Sequence, residues 1–163
     1  MNINRNKIIA ALLSAIVLLS CTKQDVGPLT DNRPKVPVTV QNAIDYRPDP
    51  TVSSSKAAGG AITIVLAVPA NSGRTIKEIT KVAASTTYTQ IQSTGSTGFY
   101  NSAPIPGSGA TTTFNTSLAE YVVKGPGSIA ASNTELAKRF YFLVTLDDGS
   151  VIITEPVRVL VLD

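Results

Sequence analysis

The chain has 163 residues, with 14 Lys and Arg against 11 Asp and Glu, one Cys, and neither His nor Trp. Without His, the Ser-His-Asp and Cys-His constellations, imidazole metal sites and the usual neutral-pH proton shuttle are excluded. A lone Cys cannot build a structural zinc site, and the lack of Trp removes the best platform for stacking sugars and cations.

Arg5 and Lys7 precede an apolar or small run of 12 residues, 8–19. That run is shorter than the roughly 20 residues needed to span a bilayer. It fits the roughly 7–15 residues of a secretory signal core, with small Ser20 before the cut. Leu18-Leu19-Ser20-Cys21 resembles the lipobox of bacterial lipoproteins. The resemblance implies removal of residues 1–20, lipidation of Cys21 with diacylglycerol and palmitate, and an anchor in the outer membrane. Lys23 and Asp25, so close to a lipidated Cys, look like lipoproteins of the Bacteroidota, where short charged stretches direct export to the cell surface. Solvated tether residues explain them equally well, so surface and periplasmic orientations both stay open. Removing residues 1–21 takes Arg5 and Lys7 from the 14 basic residues and none of the 11 acids, leaving 12 against 11. The mature chain is nearly neutral and has no basic cluster, so nucleic acid is not expected as a partner.

Residues 22–35 are polar, with Gly27-Pro28 and Arg33-Pro34, and read as a tether. Residues 36–163 show short apolar runs separated by Gly, Pro, Ser and Asn, the rhythm of an all-β sandwich. Val36, Val38 and Val40 alternate in a first strand that Pro37 confines to an edge. Residues 46–60 read as a long connection. Ile62, Ile64, Leu66 and Val68 share one strand face, and Asn71-Ser72-Gly73 is a turn. Residues 75–84 fit either a helical face or a strand, and context favours a strand. Tyr88–Gln92 is a short strand, 93–110 a long loop, and Thr111–Phe114 a strand. Leu118–Val123 is a helical turn or another strand. Phe140, Phe142, Val144 and Leu146 alternate on one face. Asp147-Asp148-Gly149 then makes a hairpin turn, Gly supplying the positive φ. The return strand, Val151–Thr154 and Val157–Leu162, is broken at Pro156. This series resembles a single antiparallel immunoglobulin/fibronectin type III-like sandwich, with Tyr141 a faint tyrosine corner.

Candidate chemistry is sparse. Ser53-Ser54-Ser55-Lys56 spells S-x-x-K, but that chemistry needs Ser at a helix N-terminus, and the companion motifs S-D-N and K-T-G are missing. A solvated Ser-rich loop accounts for it. Gly95–Gly98 and Gly107-Ser108-Gly109 have no following Gly-Lys-Ser/Thr and read as flexible loop. Asp147-Asp148-Gly149 and the pair Asp45 and Asp49 read as turn chemistry, short of the six to eight oxygens that calcium wants. Asn115-Thr116-Ser117 is a glycosylation sequon by chance. Phe99-Tyr100 is the only aromatic hint of a binding surface, set in a Gly-, Ser- and Thr-rich loop. The pair folding back on the core is the competing reading.

The expectation is therefore a lipid-anchored envelope protein whose sandwich is a non-catalytic binding or structural module. It needs no cofactor and no metal. Its partners are the membrane, through the lipid, and a protein or a glycan, with Phe99 and Tyr100 as the contact. The alternative is a hydrolase of the cell envelope, such as a glycosidase using two distant carboxylates.

Overall fold

A computed structural model describes residues 33–163, apart from Ser96 and Pro126. The expected signal 1–20, Cys21 and residues 22–32 of the expected tether lie outside the described residues. Arg33–Asp163 forms one compact unit. Its elements in chain order are β1 (Thr39–Val40), β2 (Thr51–Ser55), β3 (Ala61–Ala67), a 3-10 turn at Ala70–Ser72, β4 (Ile76–Ser85), α1 (Thr89–Gln92), β5 (Ile105–Gly109), β6 (Thr111–Ser117), α2 (Leu118–Lys124), β7 (Thr134–Glu135), β8 (Arg139–Leu146), β9 (Val151–Ile153) and β10 (Arg158–Leu162).

The chain is an all-β sandwich. One sheet has the order β1-β3-β6 and a second β5-β4-β8-β9. A third sheet, β2-β10-β7, continues the second through a bridge in which Phe140 and Val157 exchange N–H···O bonds of 2.9 and 2.8 Å. The alternation read in β3 and β8 holds. Ile62, Ile64 and Leu66 are fully buried, as are Phe140, Phe142 and Val144. Between them, Phe114 of β6 lies 5.7 and 5.4 Å, ring centre to ring centre, from Phe140 and Phe142. The aromatic pairs join the two layers at edge-to-face or tilted angles that favour ring quadrupoles.

The ambiguous stretch 75–84 is strand β4. It pairs along almost its whole length with β8, from Ile76 opposite Leu146 to Ser85 opposite Arg139. The Asp147–Gly149 turn is a hairpin turn, with Gly149 at φ 83° and β9 returning beside β8. Pro156 has no N–H to donate and interrupts the return strand, but Val157 still pairs with Phe140 of β8 before the chain joins β2. Arg158 then donates to the Pro50 carbonyl at 2.9 Å.

Several expectations are corrected. The sandwich is not wholly antiparallel, because β10 runs parallel to β2 from Arg158 opposite Thr51 to Leu162 opposite Ser55. The long connection 46–60 therefore contains a strand, whose Ser content hid it. The first strand shrinks to Thr39–Val40, although Val38 is buried as well. Residues 93–110 contain strand β5. Tyr88–Gln92 is not a strand: Thr89–Gln92 is one helical turn, with Gln92 N donating to Tyr88 O at 3.1 Å. That turn lets Tyr88 and Ile91, three residues apart, face the same patch of the outer sheet surface. Tyr141 is not a tyrosine corner. Its side chain lies on that outer surface, packed with Ala83 and Ile91 and 4.8 Å from the Tyr88 ring. Tyr121 of α2 takes the pinning role, its hydroxyl accepting from Lys138 N at 2.9 Å just before β8.

Candidate functional site

Segment 99–105 runs along the outer edge of β4 and sets two adjacent aromatics on opposite sides, as extended backbone does. Phe99 points outward. It is half-buried against the small cluster of Ala83, Ile91 and Tyr141. Lys81 Nζ sits 4.6 Å over its ring and donates to the carbonyls of Ser93 at 2.7 Å and Gly95 at 3.0 Å. One lysine thus holds the 93–95 loop and covers the ring. Gln90 closes the same loop by donating to the Gly98 carbonyl.

Tyr100 points inward and is 5 % exposed, so of the pair expected at the surface only Phe99 is accessible. Its ring lies 5.3 Å from Phe140 and 5.8 Å from Phe114. The backbone there is fixed to β4. Tyr100 N donates to Val82 O at 2.7 Å, and Val82 N donates to Asn101 Oδ1 at 2.6 Å. Asn101 Nδ2 in turn donates to Thr80 O at 3.2 Å and Ala103 O at 2.8 Å. A single Asn side chain here does the work of a strand neighbour.

Two shallow hollows flank Asn101–Ala103. One, of about 200 Å³, lies toward Lys81, Phe99 and Pro104. The other, of about 240 Å³, is walled by Tyr100–Ala103 and Ile105 on one side, Phe114 and Asn115 of β6 on the other, and Glu120 and Lys124 at one end. A hydrogen-bonded chain closes that end. Tyr100 Oη is 2.6 Å from Thr116 Oγ1, Thr116 donates to Glu120 Oε2 at 2.8 Å, and Lys124 Nζ is 3.1 Å from Glu120 Oε1. The Thr116 hydroxyl bond, then Lys124, hold the Glu120 carboxyl below its usual range, while burial pushes the Tyr100 phenol up. α2 presents these groups because Ser117 caps it, accepting from Glu120 N at 3.1 Å, while Leu118 and Tyr121 bury its inner face. A third hollow, of about 320 Å³, lies beside Lys35, Arg74, Asp148 and Val151.

The other sequence candidates do not assemble chemistry. Ser53 lies in strand β2, without the helix N-terminus that S-x-x-K needs. Ser55 donates to Asp163 O at 2.7 Å and Lys56 Nζ to Ser132 Oγ at 3.4 Å. Gly107 sits where β5 meets the register shift of β4, so close to Ile76 that no other residue fits. Asp147 accepts from Thr75 N at 3.0 Å and Asp148 from Ser150 N at 2.9 Å, and Arg74 pairs with both carboxylates. The Ser150 N–H holds the Asp148 carboxyl below its usual range. Asp45 Oδ1 accepts from Tyr46 N and Arg47 N, and the Tyr46 bond lowers its pKa. In the sequon, Asn115 is exposed while the Thr116 hydroxyl is buried and bonded. Among the described residues no group of three or more His, Cys, Asp or Glu could hold a metal, and no helix is long and apolar enough to cross a membrane.

Lys81, Asn101, Glu120 and Lys124 escaped the sequence reading. Glu120 and Lys124 carried a signal, the four-residue spacing after a Ser cap. Asn101 and Lys81 carried none, because their partners are backbone carbonyls distant in sequence. No protein-family model matches the chain, and no curated protein or solved structure is significantly similar to it.

Proposed function

We propose that this is an envelope lipoprotein, held in the outer membrane by lipids on Cys21, whose sandwich is a non-catalytic module for binding a protein or a glycan. The anchor rests on Leu18–Cys21 after its short apolar run. Two or more acyl chains make such an anchor stable, since one alone holds only marginally.

The binding surface is the ridge Phe99–Pro104 with its two hollows, and the observation that carries it is the setting of Phe99. A half-buried aromatic stands on a loop fixed to rigid β4 by three hydrogen bonds of the Tyr100 backbone and the Asn101 side chain, while a fourth, from Asn101 to Ala103 O, braces the loop itself. Aromatic anchors on pre-organised loops are the usual hot spots of binding modules. A rim of Lys81, Glu120 and Lys124 supplies polar contacts of both signs.

Two arms test the reading. Metabolic labelling with an alkyne palmitate should tag the wild-type chain and not Cys21→Ala, which should also leave the membrane fraction. A Cys21→Ala protein that stays processed and membrane-bound refutes the anchor. Separately, the full chain in detergent is tested against solubilised envelope proteins and envelope polysaccharide. Phe99→Ser should abolish retention of one of them. Polysaccharide cleavage by the full chain that disappears in Glu120→Gln would establish the hydrolase instead.

A further inference from the structure

β6 is an edge strand with backbone groups left over. On β3, Val65 O accepts from Gln41 N at 2.8 Å, Val65 N donates to Asn42 Oδ1 at 2.9 Å, and Thr63 O accepts from Asn42 Nδ2 at 2.9 Å. Thr63 and Val65 thus face β1. Strand alternation turns Ile62, Ile64 and Leu66 toward β6, opposite Thr116, Phe114 and Thr112. Those β6 residues spend their backbone on β3. Thr113 and Asn115, between them, aim N–H and C=O away from the sheet, and none of these four groups has a partner among the described residues. Thr111 also faces outward, but its carbonyl accepts from Ser108 Oγ at 3.0 Å.

The other sheet edges are short, interrupted or closed at their ends. β2, Thr51–Ser55, is closed at both ends: Thr51 N donates to Asp45 O at 2.8 Å, Thr51 O accepts from Ile44 N at 2.7 Å, and Ser55 O accepts from Gly60 N at 2.8 Å. β1 has two residues and follows Pro37, β7 has two residues, β9 has three and precedes Pro156, and β5 contains Pro106 and a register shift against β4. β6 has seven residues, Thr111–Ser117, with no charge, no Pro and no register shift. Charges, prolines, bulges and short length are how proteins close their edges to other strands, and β6 uses none of them. The hollow of about 240 Å³ lies directly against Phe114 and Asn115, with Tyr100 and Ile105 in its far wall.

The geometry points to strand addition at this edge: we propose that Thr113–Asn115 binds one extended polypeptide segment of a partner protein. The segment lies beside β6, exchanges hydrogen bonds with the two free N–H and two free C=O groups, and lowers an apolar side chain into the hollow between Tyr100, Ile105 and Phe114. Main-chain bonds supply affinity in this mode and alternate side chains supply selectivity. The segment has no charge on the face over the hollow, since Glu120 and Lys124 already neutralise one another at its end. A second copy of this chain would pair antiparallel about Phe114, with Thr113 of each β6 opposite Asn115 of the other, and would show itself as a dimer without added peptide. The proposal rests on the reading of the sandwich as a binding module, but neither on the lipid anchor nor on Phe99.

The test uses the full chain in detergent micelles and a capped heptapeptide, Thr-Val-Thr-Leu-Thr-Val-Thr, titrated to millimolar concentration. Amide hydrogen exchange at Thr113 and Asn115 should slow at least about tenfold, with Thr112 and Phe114 unchanged. Asn115→Pro deletes an outward N–H without touching the β3 ladder and should lose the protection. Thr113→Lys keeps every backbone group but charges the edge, and decides the matter if the proline variant unfolds. Phe99→Ser should keep the protection. Absence of protection in the wild type, protection that survives Thr113→Lys in full, or peptide-free dimers that protect the same two amides would each overturn the inference. Envelope binding that needs Phe99, without edge protection, would leave the binding module standing and remove only the added strand.

Discussion

Tyr100 donates its phenolic proton to Thr116 across 2.6 Å, and the direction follows from the next bond in the chain. Thr116 has one hydroxyl proton and gives it to Glu120 Oε2, so toward Tyr100 it can only accept. The bond ties segment 99–105 of one sheet to β6 of the other, at the wall of the larger hollow. Tyr100→Phe should cost about 1 kcal/mol, the net value of one such bond. Thr116→Val should cost more, about 1–3 kcal/mol, because it strands a buried phenol. The double variant should be less destabilised than the sum of the two, measured by urea unfolding. Strict additivity would show that the hydroxyls do not interact in solution.

Glu120 makes the same corner pH-sensitive. Thr116 and Lys124 lower its folded-state pKa below the ordinary 4.5. A carboxyl lowered on folding contributes stability that is fully present above its unfolded pKa and is lost as pH falls through the folded one. Wild type should therefore exceed Glu120→Gln in unfolding midpoint at neutral pH, and the gap should close on acidification below 4.5. High salt should narrow it as well, since the Lys124 pair is largely exposed. A gap constant from neutral pH down to strong acid would remove the carboxylate from the account.

Phe142 is the centre of the packing. It is fully buried, pairs in register with Val82, and meets Phe114 of the opposite sheet at 5.4 Å. Phe142→Ala should cost about 3–5 kcal/mol, as buried aromatic truncations do. Val151 on the neighbouring β9 is 58 % exposed and provides the contrast. Val151→Ala should change stability by less than about 0.5 kcal/mol. Equal losses at the two positions would mean that the β8–β9 register is wrong.

The strands legible in the sequence are those whose large apolar side chains recur on one face. β3 and β8 alternate because one side of each meets the core, and that period of two survives in the residue order. The invisible strands had other reasons to exist. β2 is built of Thr and Ser and forms only because β10 lies parallel beside it, a pairing between residues over 100 positions apart. β5 reads as loop because Pro106, Gly107 and Gly109 serve a shifted register, not a regular one. Residues 88–92 looked like strand from Tyr88 and Ile91, but a single turn covers the Tyr141 patch better than an extended chain. At the candidate site, the outward Phe99 was legible as an aromatic in a polar loop. The burial of Tyr100 was not, since it depends on Thr116, Phe114 and Phe140 from other strands.

Gly107 shows how far such a cryptic residue can be indispensable. A Cβ built there would stand 1.8 Å from the Ile76 carbonyl oxygen and 2.6 Å from its carbon, both rigid backbone of β4. No rotamer change can relieve that contact, so β5 would have to detach from the register shift between Ile76 and Glu78. Gly107→Ala should thus reach or exceed the upper end of the about 1–3 kcal/mol typical of overpacking. Gly109→Ala meets no atom within 4 Å but must hold φ at +94°. It should cost about 1 kcal/mol through backbone strain alone, and so fall clearly below Gly107→Ala. Thermal unfolding of the two variants orders them directly. If Gly109→Ala is the more damaging, strain and not close backbone approach governs this edge of the sandwich.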